Sequence, residues 1–197
     1  MEKDKYKSVV FCGYPASGKT TIAKRIAKIF NLEYTCAGDI LKKMMKEKSC
    51  KETHVDSGDF WETDEGFAFF EKRENDDSFD RELDKEMLKL VKEKPVALTS
   101  WTLPYLDCEA IKIYLKVSKE ERTKRLAGRD GISEEKAQKA ISMRDEINIA
   151  HYKKLYGFTL GDESPFDLVV DCENNTEDGE VKIISDFLVK RGFVAIC

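Results

Sequence analysis

This sequence has no surplus of positive charge. Its 34 Lys and Arg are set against 38 Asp and Glu, for a formal net charge of −4. A duplex-binding protein of this size normally carries a basic excess, so nucleic acid is not the expected partner. Local basic clusters can still hold phosphate. Long hydrophobic runs are also missing, and nothing approaches the ~20 apolar residues of a membrane span. The first residues, Met1 to Lys7, are charged and lead only into the short apolar run Val9 to Cys12. That is not a signal-peptide pattern, and the expected location is cytoplasmic. Histidine is scarce: His54 and His151 lie far apart. The six cysteines, Cys12, Cys36, Cys50, Cys108, Cys172 and Cys197, form no CxxC pair. A zinc site is therefore not expected, and the thiols are expected to be free and mostly in buried strands. Internal repeats, low-complexity segments and heptads are absent, which leaves monomer and homodimer both open.

The composition is that of one globular domain: 41% hydrophobic and 37% charged over 197 residues. That length supports a real core. Short apolar runs at Ser8–Cys12, Glu33–Cys36, Pro95–Thr99, Ile111–Val117 and Phe166–Val170 predict strands. Helical spacing predicts helices from Lys19 to Phe30, from Asp39 to Lys46, from Ser78 to Lys92 with Ser78 as cap, and from Ser118 through Leu126. A loop is expected over Gly128–Gly131. A long charged helix follows from Ser133 toward Tyr156, and a last one from Val181 to Arg191, closed by Gly192. Strands alternating with helices predict a parallel sheet covered on both faces. Two long excursions, about 37–94 and about 127–156, read as an acceptor-binding insertion and a lid within a single domain of residues 1–197. Phe60 and Trp61 are the expected anchors of the first.

The strongest motif is Gly13-Tyr14-Pro15-Ala16-Ser17-Gly18-Lys19-Thr20. It fits GxxxxGK[ST], after a predicted strand and at the start of a predicted helix. The fold class expected is the α/β P-loop NTPase sandwich, with about five parallel strands. Backbone N–H groups of such a loop approach phosphate oxygens, and the helix N-terminus adds partial positive charge. Lys19 supplies a cation to the β- and γ-phosphates, and the Thr20 hydroxyl can ligate Mg²⁺. Thr21 completes the nucleotide-binding run. ATP and Mg²⁺ are the expected cofactors. GTPases need a base-reading Asn-Lys-x-Asp, which is absent, and a large ATPase needs more chain. A small P-loop chain with two insertions reads as a kinase for a small, phosphate-bearing acceptor.

Ala37-Gly38-Asp39-Ile40, Asp80-Arg81-Glu82-Leu83-Asp84, Arg122, Arg125, Arg129-Asp130-Gly131, Arg144-Asp145-Glu146, Tyr152-Lys153 and Tyr156-Gly157 follow the loop in order. In that order and spacing the chain resembles the archaeal cytidylate kinases among the nucleoside monophosphate kinases. The resemblance implies a lid that carries Arg125, Arg129 and Arg144 onto the transferring phosphoryl group. The acceptor site is expected to draw on Asp39, Lys42, Arg81, Asp84, Trp101 and His151.

The sequence departs from that family on the acceptor side. Where the family has Glu-Gly-Arg after the third strand, this chain has Thr99-Ser100-Trp101. A family arginine is Lys42 here, and two more are Ala150 and His151. Counted along the sequence, up to four phosphate-gripping guanidinium groups are gone, and neither Lys nor Trp reproduces a bidentate arginine. That count predicts a changed acceptor with weak CMP phosphorylation. A mevalonate phosphate is the leading expectation, by analogy with P-loop phosphomevalonate kinases and with mevalonate 3-phosphate 5-kinase as the specific guess. A cytidylate (CMP/dCMP) kinase is the alternative, and a nucleotide-binding protein without transferase activity is a third. Asp39 could serve as base for an alcohol, as a metal-water ligand or as a helix cap.

Overall fold

The computed structural model describes residues 6–48 and 76–195. The expectations for Cys50, His54, Phe60, Trp61 and Cys197 fall outside the described residues. β1 (Val9–Cys12), β2 (Glu33–Cys36), β3 (Val96–Thr99), β4 (Ile111–Lys116) and β5 (Leu168–Asp171) pair in parallel in the order β2-β3-β1-β4-β5. β1 is central because all four of its residues are apolar and buried, as a strand covered on both faces requires.

Alternation along the strands divides the core in two. Val9, Phe11, Ala97 and Ile113 point to the face covered by α1 (Lys19–Phe30) and α6 (Glu177–Lys190). Val10, Val96 and Leu98 point to the opposite face, covered by α2 (Ala37–Lys48) and α3 (Ser78–Glu93). This is the three-layer α/β architecture of a P-loop protein. α4 (Lys119–Asp130) and α5 (Glu134–Tyr156) pack on each other through Leu126, Ala127, Ala137 and Ile141.

Several boundaries differ from expectation for local reasons. Asp77, not Ser78, is the N-cap of α3, and the Asp76 carboxylate accepts from the Ser78 N–H. Residues 128–130 are helical: α4 runs on to Asp130 and stops at Gly131, whose φ of 65° suits glycine. The stretch expected to be a lid is thus a helical hairpin, capped at α5 by the Ser133 hydroxyl. α6 begins four residues before the expected start, capped by Thr176. The last strand is Leu168–Asp171 rather than Phe166–Val170. Cys12, Cys36, Cys108 and Cys172 are free, but Cys108 and Cys172 lie outside the strands.

Candidate active site

The phosphate loop connects β1 to α1. A Cβ on Gly13 would sit 2.7 Å from both the Leu115 carbonyl and the Ser17 hydroxyl, so only glycine fits. Gly18, the N-cap of α1, has φ 88°, and Ala16 has φ 60°, a strained value for a residue with a side chain. Ala16 is held there by packing against the α4–α5 cluster. The Lys19 ammonium donates to the Tyr14 carbonyl at 2.7 Å and to the Ser17 hydroxyl at 3.4 Å. Burial, with the Arg144 charge adding to it, lowers this ammonium to about 8.

Beyond the carboxyl ends of β1, β2 and β3 lies a cleft of about 340 Å³. This is where parallel sheets place ligands. Pro15, Ala16, Lys19 and Thr20 form its phosphate-loop wall. Lys42, Arg129 and Arg144 bring cations to it from α2, α4 and α5. Asp39 is the one carboxylate lining it among the described residues. It sits in the first turn of α2, which begins at Ala37, so Asp39 is not a cap. Thr20 and Asp39 are the residues able to hold Mg²⁺: an alcohol and a carboxylate, hard oxygen donors. Among the described residues no cluster of three or more His, Cys, Asp or Glu could hold a metal alone.

The turn after β3 forms a further wall of the cleft. Thr99, Ser100, Trp101 and Thr102 all line the cleft. The turn is rigid: Ser100 N–H donates to the Phe11 carbonyl at 3.0 Å, and the Ser100 hydroxyl accepts from the Thr102 and Leu103 amides at 3.1 and 3.2 Å. The Thr102 hydroxyl donates to buried Asp84, which also accepts from the Tyr156 hydroxyl at 2.5 Å. Asp84 therefore lies behind the wall, not in the cleft.

Other expected residues are placed elsewhere. His151 is buried, with Nε2 2.9 Å from an oxygen of buried Asp80, so it joins α5 to α3. Ala150 is exposed and outside the cleft lining. Arg81 is exposed, donates to Asp77 at 2.8 Å and lies over the Tyr156 ring. Arg125 donates to Glu121 and, at 2.7 Å, to the Cys172 carbonyl just past β5; it does not line the cleft. Thr21 is exposed and does not line the cleft.

Two features escaped sequence reasoning. Asn148 and Tyr152 extend the Arg144 stripe along α5 into the cleft, at spacings of four residues. That signal was available once Arg144 was taken as helical. The other is a buried ion pair between α4 and α5: the Arg122 guanidinium donates to both Asp145 oxygens, at 3.3 and 2.8 Å. Arg122 and Asp145 both stand among the motif residues, but no local pattern shows that they pair across 23 positions.

The fold and the cleft define a P-loop phosphotransferase. Residues 11–174 match the cytidylate kinase-like family, and the chain belongs to it. It is 34% identical over 184 residues to a protein named cytidylate kinase from Pyrobaculum arsenaticum, covering 91% of each chain. It is 31% identical over 189 residues to one from Ignicoccus hospitalis, covering 92% of this chain and 98% of that one. Among solved structures it resembles shikimate kinase from Acinetobacter baumannii, in complex with shikimate. The TM-score is 0.56 at 12% identity, over 97% of each chain. An uncharacterized protein from Eubacterium ventriosum gives a TM-score of 0.59 at 17% identity, covering 92% of this chain and 98% of that one. These structural likenesses speak for the fold. With the family, they make the chain an ATP-dependent phosphotransferase.

Proposed function

We propose that this enzyme transfers the γ-phosphoryl group of Mg·ATP to a pyrimidine nucleoside monophosphate of the CMP class. The observation that carries the reading is which of the sequence departures face the cleft. Of positions 42, 101, 150 and 151, only Lys42 and Trp101 line it. Lys42 keeps a positive charge, and His151 is engaged with Asp80. The count of four lost arginines therefore reduces to one lost charge, at Trp101. The expectation of a changed acceptor rested on that count and loses most of its support. The relatives named cytidylate kinase favour CMP over a mevalonate phosphate.

In this reading the loop amides and Lys19 hold the β- and γ-phosphates. Arg129 and Arg144 spread the charge that grows on the equatorial oxygens. A phosphate acceptor is already an anion, so no general base is needed and Asp39 serves the metal's water shell. Thr20 and Asp39 would hold Mg²⁺, which would supply neutralisation of the phosphate charge. Arg125, held by Glu121 and the Cys172 carbonyl outside the cleft lining, takes no part in the transfer in this reading.

Trp101 favours a second reading. Its indole, with Leu41, Leu83 and Met87, gives the acceptor wall an apolar character suited to a smaller phosphorylated alcohol. ADP release measured with CMP, dCMP, UMP, AMP and the mevalonate phosphates at fixed Mg·ATP separates the two. Turnover led by CMP or dCMP supports the first reading. Turnover led by a mevalonate phosphate, and lost in Asp39→Asn, replaces it with the second.

A further inference from the structure

Tyr14 is a variable position of the phosphate-loop motif, yet its side chain touches three separate parts of the molecule. Its ring lies under the Arg122 guanidinium, 4.8 Å from guanidinium carbon to ring centre. It meets the Trp101 indole edge-on, with centroids 6.0 Å apart and planes at 77°. Its hydroxyl donates to the Leu160 carbonyl at 3.0 Å. Its own carbonyl accepts from the Lys19 ammonium and from the Ser17 amide at 3.3 Å. The ring does not line the cleft. It faces a small apolar space behind the loop, shared with Cys12, Trp101 and Tyr114.

Arg122 sharpens the arrangement. It is only 4% exposed, and its Nε has no hydrogen-bond partner. Both Nη groups are engaged with Asp145, so the Tyr14 face is the remaining compensation for a desolvated cation. Tyr14 is thus fixed between the ion pair and the acceptor wall. A continuous chain of contacts runs from the phosphate site through Lys19 and the Tyr14 carbonyl to the Tyr14 ring and the Trp101 indole.

We propose that Tyr14 is a positioning residue: it transmits nucleotide occupancy of the phosphate loop to the Trp101 wall and so prepares the acceptor site. The physical basis is that a polyphosphate competes with the Tyr14 carbonyl for the Lys19 donors. Any shift of that carbonyl moves a ring packed against Trp101. Coupling of this kind is reciprocal, so nucleotide and acceptor each raise the other's affinity by the same factor. That Trp101 belongs to the acceptor wall rests on the proposed function; the Lys19–Tyr14–Trp101 chain does not.

The test uses the full chain with Trp61→Phe, which leaves Trp101 as the only tryptophan. Mg·ATP alone is expected to change Trp101 emission saturably. The response should persist in Tyr14→Phe, which keeps the ring, and vanish in Tyr14→Leu and Tyr14→Met while calorimetry still detects ATP binding. If Tyr14→Leu does not fold, Tyr14→Met decides. A second arm measures CMP affinity with and without a non-hydrolysable ATP analogue. A gain of about fivefold or more is expected in the parent and little in Tyr14→Met. Failure of CMP to bind counts against the proposed function only. An emission that ignores ATP in the parent, a response preserved without the ring, or one lost in Tyr14→Phe overturns the Tyr14 proposal.

Discussion

The two sides of the cleft are specified in different ways. The donor side comes from one run, Gly13 to Thr20, in which backbone geometry does most of the work. The proposed acceptor side gathers Lys42, Trp101 and Asn148 from distant parts of the chain. On the donor side, residue identity and role coincide. On the acceptor side, role depends on which way a side chain points. His151 and Trp101 stand at positions where the sequence resemblance leads to an expectation of arginine. One is turned toward Asp80 and the other faces the substrate cleft.

Removing the donor-side charge should give the largest effect. Lys19→Ala is expected to lower kcat by about a thousandfold, with an unchanged far-UV spectrum, because the ammonium acts on charge that grows in the transition state. Retention of more than a tenth of the parent rate would mean that phosphate is held elsewhere.

Breaking the Arg122–Asp145 pair should act on stability instead. Asp145→Ala leaves the Arg122 cation buried and unpaired, a loss of about 3–5 kcal/mol. Lys42→Ala, on the cleft surface, should change stability by less than about 0.5 kcal/mol. Urea unfolding of the two variants compares them directly; equal losses would show that the Arg122–Asp145 pair is not a structural anchor.

The acceptor side can be tested by restoring arginine. A charged hydrogen bond is worth about 1.5–3 kcal/mol, so Trp101→Arg should raise kcat/KM for CMP about tenfold or more. His151→Arg should bring no such gain, since that side chain points at Asp80. Equal gains from the two would place position 151 in the cleft.

The smallest expected effect is on pH dependence. With the Lys19 ammonium lowered to about 8, the free enzyme loses this charge as pH rises through 8. Bound phosphate favours the protonated form, so ATP affinity falls above pH 8 and binding there takes up a proton. Calorimetry in two buffers of different ionisation enthalpy reads that uptake; its absence at pH 8.5 would show Lys19 fully charged before ATP arrives.

The sheet, its parallel sense and most helices were legible because buried strands and capped helices leave local marks. Ser118 and Ser133 announce α4 and α5 through hydroxyls that do cap those helices. Gly128 misled because glycine punctuates loops more often than helix interiors, yet α4 runs through it. The phosphate loop was legible for the reason given above. The acceptor wall was not, because Asp84 behind Thr102 and Asp80 against His151 are long-range pairings, 18 and 71 residues apart in sequence, that no local pattern encodes.

The central claim is that, of the four arginine positions that differ, only Trp101 takes a positive charge out of the cleft, so a CMP-class nucleotide remains the proposed acceptor. Direct measurement of CDP formation from CMP and Mg·ATP tests it, with kcat/KM as the readout. A value of about 10⁴ M⁻¹s⁻¹ or above, in the range of a metabolic enzyme, is the predicted result. No CDP above the Lys19→Ala background, alongside efficient turnover of a mevalonate phosphate, would contradict it.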